Sequence, residues 1–122
     1  MGDSIESWLK TEVRINVHIH NFEKDFSNGY YFGAIFFNYG LNPKFIDVFQ
    51  NKHQGPHILR NFYYLPELFK RISVPFNEDI MRSIQKCELG HAKQLLFKMR
   101  DALSTYEFAP NVHDKVKMTL GT

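Results

Sequence analysis

Cysteine is almost absent: Cys87 is the only one in 122 residues. That excludes a disulfide framework within the chain and a paired-cysteine zinc site, and it predicts a reducing, intracellular setting. A charge excess is also lacking, since 15 Lys and Arg face 13 Asp and Glu for a net +2. So mild a balance does not mark a nucleic-acid binder. No apolar run is long enough for a membrane span, because the longest is cut by Asn38 and Gly40. The opening residues lack the basic and apolar regions of a secretory signal. Glu6 stands where a myristoylation motif needs Ser or Thr. A phosphate loop and a serine nucleophile elbow are missing, and the Gly29-x-x-x-Gly33 pair has neither the preceding strand nor the further glycine of a dinucleotide site. These absences predict a chain with no cofactor, no nucleic-acid partner and no membrane span.

Aromatic residues are abundant, at 16% with twelve Phe, and the length suits one domain with a real core. The richest stretch is Phe26-Ser-Asn-Gly-Tyr-Tyr-Phe-Gly-Ala-Ile-Phe-Phe-Asn-Tyr-Gly40. Its aromatics would also suit a buried strand. Ser27, Asn28 and Gly29 as a start signal and Gly40 as a stop favour a helix over Tyr30 to Tyr39, apolar on nearly every side and therefore central. Gly33 and Ala34 would let neighbours approach it closely.

Elsewhere the spacing predicts an amphipathic helix from Ile5 to Arg14, capped by Ser4 and anchored by Trp8, with Leu9 and Val13 on the same face. Arg14 to Asn21 alternates apolar and polar residues like a strand, but with no second strand to pair it reads as an extended connector. A short helical turn over Asn21 to Phe26 follows. Leu41 to Gly55 is a long connection with one helical turn, pinned to the core by Phe45, Ile46, Val48 and Phe49. Pro56 opens the next helix, whose buried stripe is Ile58, Phe62, Leu65, Phe69 and Ile72, widened by Leu59 and Leu68. Pro66 inside it must kink or split that helix. Asn77 caps a short helix with Ile80, Ile84 and Cys87 on its inner face, ended by Leu89-Gly90. The last helix, from His91, buries Ala92, Leu95, Leu96, Met99, Ala102, Leu103 and Tyr106. Residues 109–122 lose periodicity and read as a tail or linker after a domain of residues 1–108. The class is all-α, with four principal helices and one or two short ones.

Candidate chemistry is thin. The pairs His18/His20 and His53/His57 have metal-like spacing, yet solvated loop histidines account for them and no metal site is expected. Cys87 with His91 four residues on could be a nucleophile and base, but on an apolar face a lone cysteine behaves as a small hydrophobe. The uneven feature is charge. Lys70, Arg71, Arg82, Lys86, Lys93, Lys98 and Arg100 crowd the second half. On the last helix Lys93, Phe97 and Arg100 share the face opposite the apolar stripe, which suits contact with an acidic partner. The same face reads equally as a solvated side with Phe97 partly covered by another helix.

The order of Trp8-Leu9, Phe26-Ser-Asn-Gly-Tyr-Tyr-Phe-Gly, Asn61-Phe-Tyr-Tyr-Leu, Ile72-Ser-Val-Pro-Phe and Leu89-Gly-His-Ala-Lys-Gln-Leu-Leu-Phe resembles a calponin-homology domain. The resemblance is to the divergent branch found in ciliary and flagellar proteins, and it spans Ile5 to Tyr106. It implies an all-α calponin-homology-like fold with a core defined by Trp8, Leu9, Phe26, Gly29, Phe32, Ile35, Phe36, Phe62, Leu65, Leu95, Leu96 and Met99. It also implies a non-enzymatic cytoskeletal module located in the axoneme of a cilium or flagellum, binding microtubules or neighbouring axonemal proteins such as those of the central apparatus. Actin binding is typical of tandem copies, so one copy points away from it. The Arg14 to Asn21 connector belongs to no motif of that family. An adaptor or homodimerisation domain is the alternative, and its mark would be an exposed apolar patch built from Phe45, Phe49, Tyr63 and Tyr64.

Overall fold

The computed structural model describes residues 4–15 and 21–106. Seven helices and no strand occur among these residues: α1 (Ser4–Thr11), α2 (Phe22–Asp25), α3 (Tyr30–Asn38), α4 (Phe45–Val48), α5 (Gly55–Arg71), α6 (Glu78–Gln85) and α7 (His91–Leu103). The helices α2, α4 and α6 make one short helix more than expected. The central part of the Arg14–Asn21 connector, with His18 and His20, and the 109–122 tail lie outside the described residues.

The helix α3 is central because its sequence leaves it no face for water. Phe32, Gly33, Ala34, Ile35, Phe36 and Asn38 are all buried. It starts at Gly29, whose φ of 84° lies in the left-handed region, and the Asn28 side chain accepts from the Tyr30 amide at 2.9 Å. It stops at Gly40, also left-handed at φ 76°. There the Gly40 amide donates to the Phe37 carbonyl and the Leu41 amide to that of Phe36, both at 2.9 Å, so two terminal carbonyls are satisfied. The neighbours of α3 are α5 and α4, while α7 gathers α1, α2 and α6. An aromatic seam joins α3 to α5 and to the segment before α6: Phe36 meets Phe69 edge-on at 5.0 Å, and Phe69 stacks on Phe76 at 4.5 Å. All twelve residues expected to define the core are buried.

Several expectations are corrected by geometry. The first helix ends at Thr11, and Arg14 adopts φ 68°, so the chain turns before the expected boundary. Of the two outcomes expected at Pro66, a kink or a split, the split does not occur: α5 runs unbroken for 17 residues with the proline on its exposed side. Ile46 and Leu59 do not join the core; they are 58% and 70% exposed. Tyr106 is part-exposed and is held instead through its hydroxyl, which donates to the Arg71 carbonyl at 2.6 Å. Cys87 is not on the inner face of α6. It follows the last turn, half-buried, at φ 60°. Ser73 holds the same conformation after α5, where its amide donates to the Lys70 carbonyl and that of Val74 to Phe69.

A non-glycine residue in this left-handed position costs about 1 kcal/mol. Ser73→Gly should therefore stabilise the fold by about 0.5–1 kcal/mol, part of the relief being lost to a freer unfolded chain. Urea unfolding followed by Trp8 fluorescence reads this as a higher midpoint; an unchanged or lower midpoint would show that no strain resides at Ser73.

Polar groups also tie α5 to its neighbours. Asn61, fully buried, donates to the carbonyls of Asn28 at 2.9 Å and Gln50 at 2.8 Å, and accepts from the Gln50 amide at 3.1 Å. Asn28 donates onward to Asn51 at 2.9 Å, and Asn51 to the Tyr31 hydroxyl at 3.3 Å. One side chain thus fixes α5 to the start of α3 and to the strand-like segment after α4. Burial pushes the Tyr39 phenol up from its ordinary pKa, with its hydrogen bond to Trp8 acting in the opposite sense.

Candidate functional site

The cationic surface is built around α7. Gly90, at φ 83°, opens this helix, and its amide donates to Glu23 Oε2 at 2.7 Å. That carboxylate sits where the helix dipole favours negative charge, and it ties α7 to α2. The one-turn α2 is itself fixed by Asn21, whose side chain accepts from the Lys24 amide at 3.1 Å. Its Phe22 ring stacks on Phe26 at 5.6 Å and 10°, so it is a rigid platform. Lys93 Nζ lies 4.8 Å from the centre of that ring. Two turns on, the Arg100 guanidinium sits 5.0 Å from the Phe97 ring centre, and Phe97 is 37% exposed. Contacts of this kind hold a cation in place over an aromatic face.

Lys93, Phe97 and Arg100 therefore lie along one strip of α7, as their spacing predicts. Lys98 is exposed on the same helix, and Lys86 is exposed at the end of α6, which packs on α7. Neither Lys86 nor Lys98 makes an ion pair among the described residues. Arg82 differs. Its guanidinium is 2.9 Å from Asp79 and 3.9 Å from Glu78, so much of its charge is spent within α6. Lys70 and Arg71 belong to the last turn of α5. Lys70 borders a shallow pocket with Pro66 and the Ser73 to Phe76 segment, while Arg71 donates to the Leu41 carbonyl at 3.3 Å. Beyond the end of α7, the Tyr106 hydroxyl donates to the Arg71 carbonyl and links the two regions. Of the eight residues expected to form a binding surface, six are carried by the packed pair α6 and α7: Arg82 within α6, Lys86 at its C-cap, and Lys93, Phe97, Lys98 and Arg100 on α7.

Phe22 and Glu23 were not foreseen as parts of this surface. Local spacing carries no sign of them, because their contacts to Lys93 and Gly90 span most of the chain. The expected apolar patch is not assembled either. Phe45 and Phe49 are 2% and 5% exposed, since Phe45 stacks on Phe37 and Phe49 closes over α3. Tyr63 alone of that group is largely exposed, and Tyr64 packs edge-on against it at 5.0 Å.

No three His, Cys, Asp or Glu side chains converge as a metal site among the described residues. His91 faces Glu88 at 3.5 Å. No described helix is long and apolar enough to cross a membrane.

Comparison with known proteins places these features in context. A family model described as "CH-like domain in sperm protein" matches residues 5–101. Sperm flagellar protein 2 of Mus musculus is 30% identical over 105 residues, and so is that of Rattus norvegicus. The Sus scrofa protein of that name is 29% identical over the same length. These alignments cover 84% of this chain but 6% of each relative, so the chain spans a small part of their length. No solved structure matches it.

Proposed function

We propose, from the premise that this chain belongs to the family of CH-like domains in sperm protein, that it is a non-enzymatic scaffold module of the flagellar cytoskeleton. The fold class and the flagellar names of its relatives support that role. The finer reading is that it docks on an acidic axonemal surface, the microtubule wall or a central-apparatus neighbour of similar charge, through α6 and α7. One observation carries this: Lys86 and Lys98 stay exposed without ion pairs among the described residues, and Lys93 and Arg100 of the same helix pair are posed on aromatic rings. A surface of this kind steers and holds an acidic partner, and its grip is screened by salt.

Co-sedimentation with microtubules at low and moderate ionic strength tests the reading. The chain should pellet at low salt and lose most of its binding when salt is raised several-fold. Failure to pellet at low salt would remove direct lattice binding and leave a scaffold that reaches the axoneme through other proteins.

A further inference from the structure

The outer side of α5 carries an apolar stripe that the monomer does not use. Pro56, Leu59, Tyr63, Pro66 and Lys70 follow one another at intervals of three and four residues, so they line one side of the helix. All five are exposed, and Leu59 and Tyr63 show 70% and 77% of their surface. The inner side of the same helix buries Asn61, Phe62, Leu65, Leu68 and Phe69. Thus α5 has two apolar sides and spends only one on the core. An average spacing of 3.5 residues is the period with which one helix meets a second over several turns.

The charges beside the stripe say which helix that is. Arg60 and Glu67 lie on one edge, both exposed, and neither makes an ion pair among the described residues. Seven residues apart, they are about 10 Å from one another along the axis and cannot pair within the helix. Their midpoint falls between Tyr63 and Tyr64, and the stripe from Pro56 to Lys70 is centred on Tyr63. An antiparallel second copy related by a two-fold axis through that point brings Arg60 of each copy opposite Glu67 of the other. Opposite signs placed evenly about the middle of a stripe are what a self-complementary, two-fold interface requires. A foreign acidic helix would gain from Arg60 but would be repelled by Glu67.

We propose that α5 is the interface of an antiparallel homodimer, formed by the Leu59–Tyr63–Pro66 stripe and two reciprocal Arg60–Glu67 pairs. The dimer presents its two α7 strips as a bivalent surface, and it does not depend on what those strips bind. Sedimentation equilibrium of the full 122-residue chain over a wide concentration range tests it. The wild-type chain should associate to a dimer. Arg60→Glu and Glu67→Arg should each weaken association by about tenfold or more, because each makes like charges meet twice. An equimolar mixture of the two variants should dimerise again, as should Arg60→Glu/Glu67→Arg within one chain. Both sites are exposed, and a thermal melt by circular dichroism checks that each variant keeps its fold. A wild-type chain that remains monomeric throughout overturns the proposal, and so does a dimer indifferent to these charge reversals.

Discussion

Asn61→Ala should unfold at a far lower urea concentration than the wild-type chain, losing about 3–5 kcal/mol. Asn61 makes three hydrogen bonds, all to backbone groups of Asn28 and Gln50. Each such bond is worth about 1 kcal/mol net, and groups left buried without partners cost about 1–3 kcal/mol more. Domains of this size have about 5–15 kcal/mol in total, so the loss is a large share. Trp8, the one tryptophan, is 8% exposed and reports unfolding by fluorescence. The Asn61→Asp variant separates hydrogen bonding from volume. Its carboxylate still accepts from the Gln50 amide but faces two carbonyls that need donors. The folded state should then raise the new carboxyl's pKa above the unfolded value of about 3.9. A raised folded pKa gives stability that is present below the unfolded value and lost as pH rises, so Asn61→Asp should gain on the wild type as pH falls. If both variants melt like the wild type, the Asn61 clamp does not hold α3 to α5.

Gly33→Ala should also destabilise the fold, against the ordinary preference of helices for alanine. A Cβ at Gly33 would lie 2.3 Å, 2.5 Å and 2.9 Å from three ring carbons of Phe49. The ring has little room to retreat, being 5% exposed and packed against Phe45 at 5.5 Å and Tyr64 at 6.3 Å. Alanine gains about 1 kcal/mol in helix propensity. Overpacking costs about 1–3 kcal/mol, and with three contacts this short the upper end applies. The net expectation is a loss of about 1–2 kcal/mol. A double-mutant cycle sharpens it, because trimming the ring removes the obstacle. Gly33→Ala should be neutral or stabilising in a Phe49→Ala background, with a coupling of at least about 1 kcal/mol. Simple additivity would show that Phe49 does not seat on Gly33.

What was legible in the sequence was local. Gly40, Pro56 and Asn77 mark helix ends through backbone chemistry within a few residues, and the structure uses each of them. The pairing of Arg82 could also have been read, since Glu78 and Asp79 precede it by four and three residues. The Asn61 clamp could not, because its partners lie 33 and 11 residues away. Periodicity likewise marks an apolar side of a helix without saying what covers it. In α5 two sides are apolar, so Leu59 was expected inside and lies outside. Phe45 and Phe49 were expected to pin the Leu41 to Gly55 connection to the core and are buried there, so they are not available to the exposed patch of the adaptor alternative. Helical spacing alone aligns Lys93, Phe97 and Arg100 along α7, while the Phe22 platform under Lys93 depends on a tertiary contact between α2 and α7.

The proposed docking through α6 and α7 rests on the exposed charges of Lys86 and Lys98, so reversing them is the most direct measurement. Lys86 and Lys98 are exposed, and Lys86→Glu/Lys98→Glu should leave stability within about 0.5 kcal/mol of wild type. Microtubule co-sedimentation of this variant beside the wild-type chain at low salt should show binding weakened by about tenfold or more. A variant that pellets as well as the wild type would contradict docking through α6 and α7.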